Sequence, residues 1–158
     1  MKPKEIDAFD RAIIKALAQN GRLTQLHLAD FVPLSPTAIA RRIRALEEAG
    51  IISGYSARIN RHALGYDMTA FVRIGLKNQS EELLTAFEQA VAAIPSIVNC
   101  YLVSGEDDYL LTVVARDLAD YEQLHKQQLS RLPGLAKLNS NFALRGVLDN
   151  PFAALERA

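Results

Sequence analysis

The chain has 158 residues, carries 18 Lys/Arg against 18 Asp/Glu, and is 49% hydrophobic and 23% charged. It therefore reads as one ordinary globular domain or two small ones, and not as a disordered or fibrous protein. Its single cysteine, Cys100, excludes an intramolecular disulfide and a cysteine-based zinc site, and the three histidines are scattered, so no metal or cofactor is expected. No apolar run is long enough to span a membrane, and the N-terminus lacks the apolar core of a signal peptide, which points to the cytoplasm.

The zero net charge conceals a division. Residues 1–60 hold nine bases and six acids, and the remaining residues hold nine bases and twelve acids. Such an asymmetry suggests separate jobs for the two halves. The first sixty residues read as three helices. Asp7 or Asp10 caps the first, Ile13, Ile14 and Leu17 form its apolar stripe, and Asn20-Gly21 stops it. Thr24 caps a short second helix. Ser35 as N-cap and Pro36 at the first helical position, where a missing N–H costs nothing, open a third helix that runs to about Ala49. At 100° per residue Ile39, Ile43 and Leu46 share one stripe, Thr37, Arg41, Arg44 and Glu48 the opposite face, with Arg42 on its flank. This is the pattern of a helix-turn-helix. The β-rich stretch from Ile51 to Ile59 reads as a wing or a linking strand.

From Tyr66 the apolar period becomes two. Met68, Ala70, Val72, Ile74 and Leu76 alternate with less buried neighbours and predict a strand. Ser80 caps a helix that ends before Pro95. Strands follow at Ile97–Val103 and Tyr109–Ala115, joined through Ser104–Asp108. Asp117 opens a second helix carrying Leu118, Tyr121, Leu124 and Leu132, stopped by Pro133-Gly134, and a last strand covers about Lys137–Leu144. The order β-α-β-β-α-β is ferredoxin-like.

Two places carry candidate chemistry. An α-helix fits the DNA major groove, and residues near its N-terminus reach the base edges. Thr37, Ala38 and Arg41 are thus assigned to base reading, Arg42 and Arg44 to phosphates, and Ser35 to capping with a phosphate contact. The acidic turn Gly105-Glu106-Asp107-Asp108 is open to several readings: acid–base or metal chemistry, a plain solvated turn, or, through Asp108-Tyr109, a grip on the amino group of a small ligand. Cys100, inside an apolar strand, reads as a small buried residue.

In order and spacing these segments resemble the Lrp/AsnC (leucine-responsive/asparagine regulator) family over about residues 6–147. The likeness rests on Asp7-x-x-Asp10-x-x-Ile13, Asn20-Gly21-Arg22, Leu34-Ser35-Pro36-Thr37 and Arg41-x-Ile43-x-x-Leu46-Glu47-x-x-Gly50-Ile51-Ile52. In the second half it rests on Val103-Ser104-Gly105-Glu106-Asp107-Asp108-Tyr109 and Arg131-Leu132-Pro133-Gly134. The resemblance implies an α+β protein: a winged helix-turn-helix domain (1–52), a linker strand (53–66), a ferredoxin-like effector-binding and oligomerisation domain (67–147) and a tail (148–158). It further implies binding to double-stranded DNA, a homodimer that assembles to an octamer in many members, and a small-molecule effector, commonly an amino acid, held between dimers. The family's effector loop falls on Ser104, Gly105, Glu106, Asp108 and Tyr109, and a second lining segment on Asn141, Phe142, Ala143 and Leu144. In this scheme Asp108 receives the α-ammonium and backbone N–H groups at Ser104–Gly105 the carboxylate. Pro33, Glu106, Asp107 and Asn141 depart from the family's usual residues. Two other classes remain: an architectural DNA-coating protein, and an enzyme like the siroheme decarboxylases, against which the arginine face argues.

Overall fold

The computed structural model describes residues 5–148, so the expected tail lies outside the described residues from 149 onward. The chain forms two compact units, one ending at Arg58 and the other spanning Ile59–Val147.

The first unit contains α1 (Ala8–Gln19), α2 (Gln25–Leu28) and α3 (Pro36–Glu48). Each start is a local hydrogen bond that satisfies an otherwise orphaned helical N–H. Asp7 accepts from the Asp10 N–H at 2.8 Å, Thr24 from His27 at 3.3 Å and Ser35 from Ala38 at 3.2 Å. Asp7 is therefore the cap of α1, and Asp10 turns inward. Ile13, Leu17, Leu28, Val32, Ile39, Ile43 and Leu46 meet as the core, and burial of each such side chain stabilises the unit by roughly 1.5–3 kcal/mol. The β-rich stretch after α3 forms no strand: residues 51–60 are irregular. A strand needs a ladder partner, and the rest of this unit is helical. Tyr55 instead donates its hydroxyl to Glu47 Oε1 of α3 at 2.9 Å.

The second unit follows the expected order, with β1 (Met68–Leu76), α4 (Glu81–Ala92), β2 (Ile97–Leu102), β3 (Tyr109–Ala115), α5 (Leu118–Gln127) and β4 (Leu135–Phe142). The sheet runs β2-β3-β1-β4, antiparallel throughout. Alternation sends Ala70, Val72, Ile74, Leu111 and Val113 toward the helices, where they pack with Phe87, Val91, Tyr121, Leu124 and Leu129. Three local expectations shift. Helix α5 ends at Gln127, because Gln128 leaves helical geometry (φ −126°), and a 3-10 turn at Leu129–Arg131 carries Leu129 into the core. The last strand lies two residues earlier than expected, since its ladder with β1 begins at the Leu76–Leu135 pair. Cys100 is exposed, because β2 is an edge strand.

Gly134 shows how tightly α4 meets the turn before β4. Its φ of +67° favours glycine, and a Cβ there would lie 2.5–2.8 Å from three Leu83 side-chain carbons. Gly134→Ala is expected to cost about 1–3 kcal/mol, the usual range for overpacking. The check is the urea midpoint of the second unit, which should fall while the unfolding slope stays constant.

Candidate functional site

The first site is the outward face of α3. Ser35 and Pro36 fix where the helix begins, and the buried stripe Ile39/Ile43/Leu46 fixes its rotation. That leaves Thr37, Arg41 and Arg44 exposed, with Ala38 half-buried beside them. Among the described residues, neither Arg41 nor Arg44 has a hydrogen-bond or ion-pair partner. Two unpaired guanidinium groups on one capped helix can meet phosphates or the O6/N7 edge of guanine.

Arg42 differs. Its Nη1 donates to Asp7 Oδ2 at 2.8 Å and to Asp10 Oδ1 at 2.9 Å, and its guanidinium lies 5.4 Å from the centre of the Phe9 ring. Asp10 is only 3% exposed. The group expected on the flank of the DNA face thus ties α3 to the start of α1. Its bonds to Asp10 and Asp7 push the guanidinium's pKa up. Sequence reasoning found both aspartates as alternative caps and as members of the Asp7-x-x-Asp10-x-x-Ile13 motif, without their tie to Arg42.

The second site is the loop between β2 and β3. Val103 N–H donates to Asp108 O at 2.9 Å, closing the loop, and Gly105 holds φ +129°, a conformation that favours glycine. Asp108 is the fastening. Its N–H donates to Ile74 O at 2.8 Å, its Oδ2 accepts from the Leu76 N–H at 2.7 Å, and its Oδ1 accepts from Gln79 Nε2. Glu106 Oε1 accepts from Lys137 Nζ at 2.8 Å, and that pairing holds the Glu106 carboxyl below its ordinary pKa. Asp107, 11% exposed at its side chain, lies 3.6 Å from Arg73 Nε and 3.8 Å from Lys137 Nζ; its Oδ1 is buried with no hydrogen bond. Ser104 and Gly105 are exposed.

Tyr109 points away from this loop. Its side chain is buried against Phe87, with ring centres 4.5 Å apart, and its hydroxyl donates to Glu88 Oε1 at 2.8 Å. Burial first, and Glu88 second, push that hydroxyl's pKa well up, so it remains a donor. Sequence reasoning missed Leu76, Gln79, Arg73 and Lys137, which hold the loop's three acids.

The two expected halves of the effector site do not meet within one chain. Tyr109 pairs with Ile74, whereas Phe142 pairs with Ala70. Four residues of strand separate those levels, about 13 Å at the usual rise. Asn141 and Phe142 also point to opposite faces: Phe142 stacks edge-on against Tyr121 at 5.0 Å, on the helix side. Ala143 N–H donates to Thr69 O at 2.9 Å.

A helix-turn-helix joined to a ferredoxin-like domain with a fastened, acid-rich loop defines a DNA-binding protein that carries a ligand domain. Residues 6–53 match the winged helix-turn-helix DNA-binding model, and residues 69–151 match the Lrp/AsnC ligand binding domain. The chain is 40% identical over 145 residues to the leucine-responsive regulatory protein of Rhizobium meliloti, covering 92% of this chain and 93% of that protein. It is also 40% identical over 144 residues to the Bkd operon transcriptional regulator of Pseudomonas aeruginosa, covering 91% and 94%. Among solved structures, a transcriptional regulator from Neisseria meningitidis in complex with L-methionine matches with a TM-score of 0.89 at 28% identity, over 96% of this chain and 99% of that one. The chain belongs to the Lrp/AsnC family of transcriptional regulators. Among the described residues, no helix is long and apolar enough to cross a membrane.

Proposed function

We propose that the protein is a DNA-binding transcriptional regulator that reads its operator with Thr37, Ala38 and Arg41, with Arg44 and Ser35 on the adjoining phosphates. The observation that carries this reading is the pair of unpartnered arginines on the exposed face of α3. Arg42 is assigned to positioning α3, because its guanidinium already has two carboxylate partners.

The effector is an amino acid, in keeping with the L-methionine complex of the Neisseria meningitidis relative. The loop from Ser104 to Asp108 supplies one wall. Asn141, Phe142 and Ala143 come from another copy of the chain, because one copy holds the two segments about 13 Å apart by strand rise. A site completed by a second copy couples ligand to assembly: the ligand favours whichever association state builds the site.

Fluorescence anisotropy with DNA from upstream of the protein's own gene, with and without pooled amino acids, tests the reading. Expected are binding that exceeds binding to random DNA, affinity that falls steeply with salt, and a shift on adding the pool. Binding to all DNA alike would favour an architectural protein instead. Arg41→Ala is expected to remove about 1–3 kcal/mol of discrimination between operator and random DNA, the range for a bidentate base contact. Equal losses on both DNAs would make Arg41 a phosphate contact.

A further inference from the structure

We propose that a recess in the second unit, between the segment from Ile59 to Tyr66 and the start of β2 and end of β3, binds a small aliphatic carboxylate, separately from the loop at 104–108.

Local bonds set its two walls. Arg61 O accepts the N–H groups of Leu64 and Tyr66, each at 3.0 Å, and Asn60 Oδ1 accepts the Ala63 N–H at 3.2 Å. These bonds wind a 3-10 turn at His62–Leu64. On the other wall the Val114 N–H donates to Ser96 O at 2.9 Å, tying the start of β2 to the end of β3. Between them lies a cavity of about 360 Å³, at the small end of the roughly 300–1,000 Å³ that ligand pockets span. All of its lining residues belong to the second unit.

The polar part of the lining has one character. Arg61, Tyr66 and Ser96 contribute a guanidinium and two hydroxyls, and no carboxylate lines the recess. Among the described residues, none of these three side chains has a hydrogen-bond or ion-pair partner. Asp67, next to Tyr66 in the chain, is engaged by His62 Nδ1 at 2.6 Å. A cation and two hydroxyls without an acid favour a carboxylate, because hydrogen bonds to an ionised acceptor are about twice as strong as neutral ones. An ammonium finds no carboxylate to pair with, so an amino acid is disfavoured against the acid that lacks its amino group.

The apolar part supplies a second observation. Ile59 and Leu64 are 63% and 62% exposed although both are large and apolar, whereas Val114 is 8% exposed. All three line the recess. An aliphatic body lying against them takes that surface out of water while its carboxylate meets Arg61.

The recess and the loop are different places. Val114 pairs with Thr69 and Tyr109 with Ile74, so five residues of β3 separate them, about 17 Å at the usual rise. Ile59 directly follows Arg58, the end of the first unit. An occupant therefore gives the regulator a second small-molecule input, one that holds the first residues after the DNA-binding unit.

The test is a titration of the full chain with sodium 4-methylpentanoate, read by calorimetry and by saturation transfer from protein to the ligand's methyl protons. Expected are saturable binding of one acid per chain and no displacement by L-leucine or by the neutral 4-methylpentanamide. Arg61→Gln should bind about tenfold more weakly. Arg61 is exposed and its side chain is bonded to nothing, so this variant keeps its fold, which circular dichroism checks. Asp108→Ala should bind the acid as the wild type does. Wild-type protein that takes up no acid at concentrations up to about 10 mM would overturn the proposal. So would equal binding of the amide, an unchanged affinity in folded Arg61→Gln, or a loss confined to Asp108→Ala, which places the acid in the loop. A second copy filling the recess would show as a wild-type chain that ignores the acid while Leu64→Asp lowers its sedimenting mass, and that result too would overturn it.

Discussion

Asp108→Ala is expected to abolish the response to the effector and to loosen the β2–β3 loop, whereas Asp108→Asn should retain most of both. The reason is that Asp108 acts first on its own chain. Its Oδ2 takes the Leu76 N–H and its Oδ1 the Gln79 amide, so alanine orphans a half-buried backbone donor and frees Gln79. An unsatisfied buried N–H costs about 1–3 kcal/mol. Asparagine keeps one oxygen for Leu76, and Gln79 can turn its own amide oxygen to meet the new NH₂. The measurement is the shift in DNA affinity on adding amino acids, taken with the thermal midpoint of each variant. If Asp108→Asn keeps its stability yet loses the response, the negative charge matters in itself, and Asp108 receives the ligand's ammonium after all. If Asp108→Ala responds normally, the fastened loop is not part of the effector site.

The parts of this structure that were legible in the sequence are those decided by neighbours within a few residues. Ser35-Pro36 announces α3 because a cap bond spans three residues, and the Ile39/Ile43/Leu46 stripe follows from helical period. The same local logic left Asp7 and Asp10 as equal candidates for the cap of α1. What separates them is that Asp7 takes the Asp10 N–H while Asp10 is buried, where it meets Arg42, 32 residues further on, and no pattern within α1 mentions that partner. Cys100 shows the same limit in the sheet. Alternation tells which face a side chain takes, but its exposure depends on β2 lying at the sheet edge, which is a property of strand order. The acidic loop was visible as a cluster of carboxylates. Their separate roles came only from partners on β1, β4 and the segment before α4: Lys137 for Glu106, Arg73 for Asp107, Leu76 and Gln79 for Asp108. Whether both effector segments meet was likewise decided by register, which assigns Tyr109 and Phe142 to levels of β1 about 13 Å apart by strand rise.

Arg42→Ala and Arg44→Ala are expected to weaken DNA binding for different reasons, and salt separates them. Arg42→Ala strips the cation from Asp10, which is 3% exposed, and cuts the tie between α1 and α3. A buried carboxylate left alone is strongly unfavourable. The thermal transition of the first unit should drop, and operator and random DNA should both bind less well, with the slope of log K against log salt unchanged. Arg44→Ala leaves the fold intact and should lower that slope by about one, as for the loss of a single phosphate contact. Acid supplies an independent check on the clamp. The cap bond from Asp10 N–H, and next the Arg42 guanidinium, hold the Asp7 carboxyl below its ordinary value of 3.8. A carboxyl depressed in the folded state contributes stability that is fully present above the ordinary value and is lost as pH falls through the depressed one. The stability gap between wild type and Arg42→Ala should therefore be constant near neutrality and narrow as pH falls into the acid range, where protonation relieves the carboxylates that the variant leaves unpaired. A salt slope that falls by one in Arg42→Ala, with its thermal transition unmoved, would return Arg42 to the DNA face and leave α3 positioned by its apolar stripe alone.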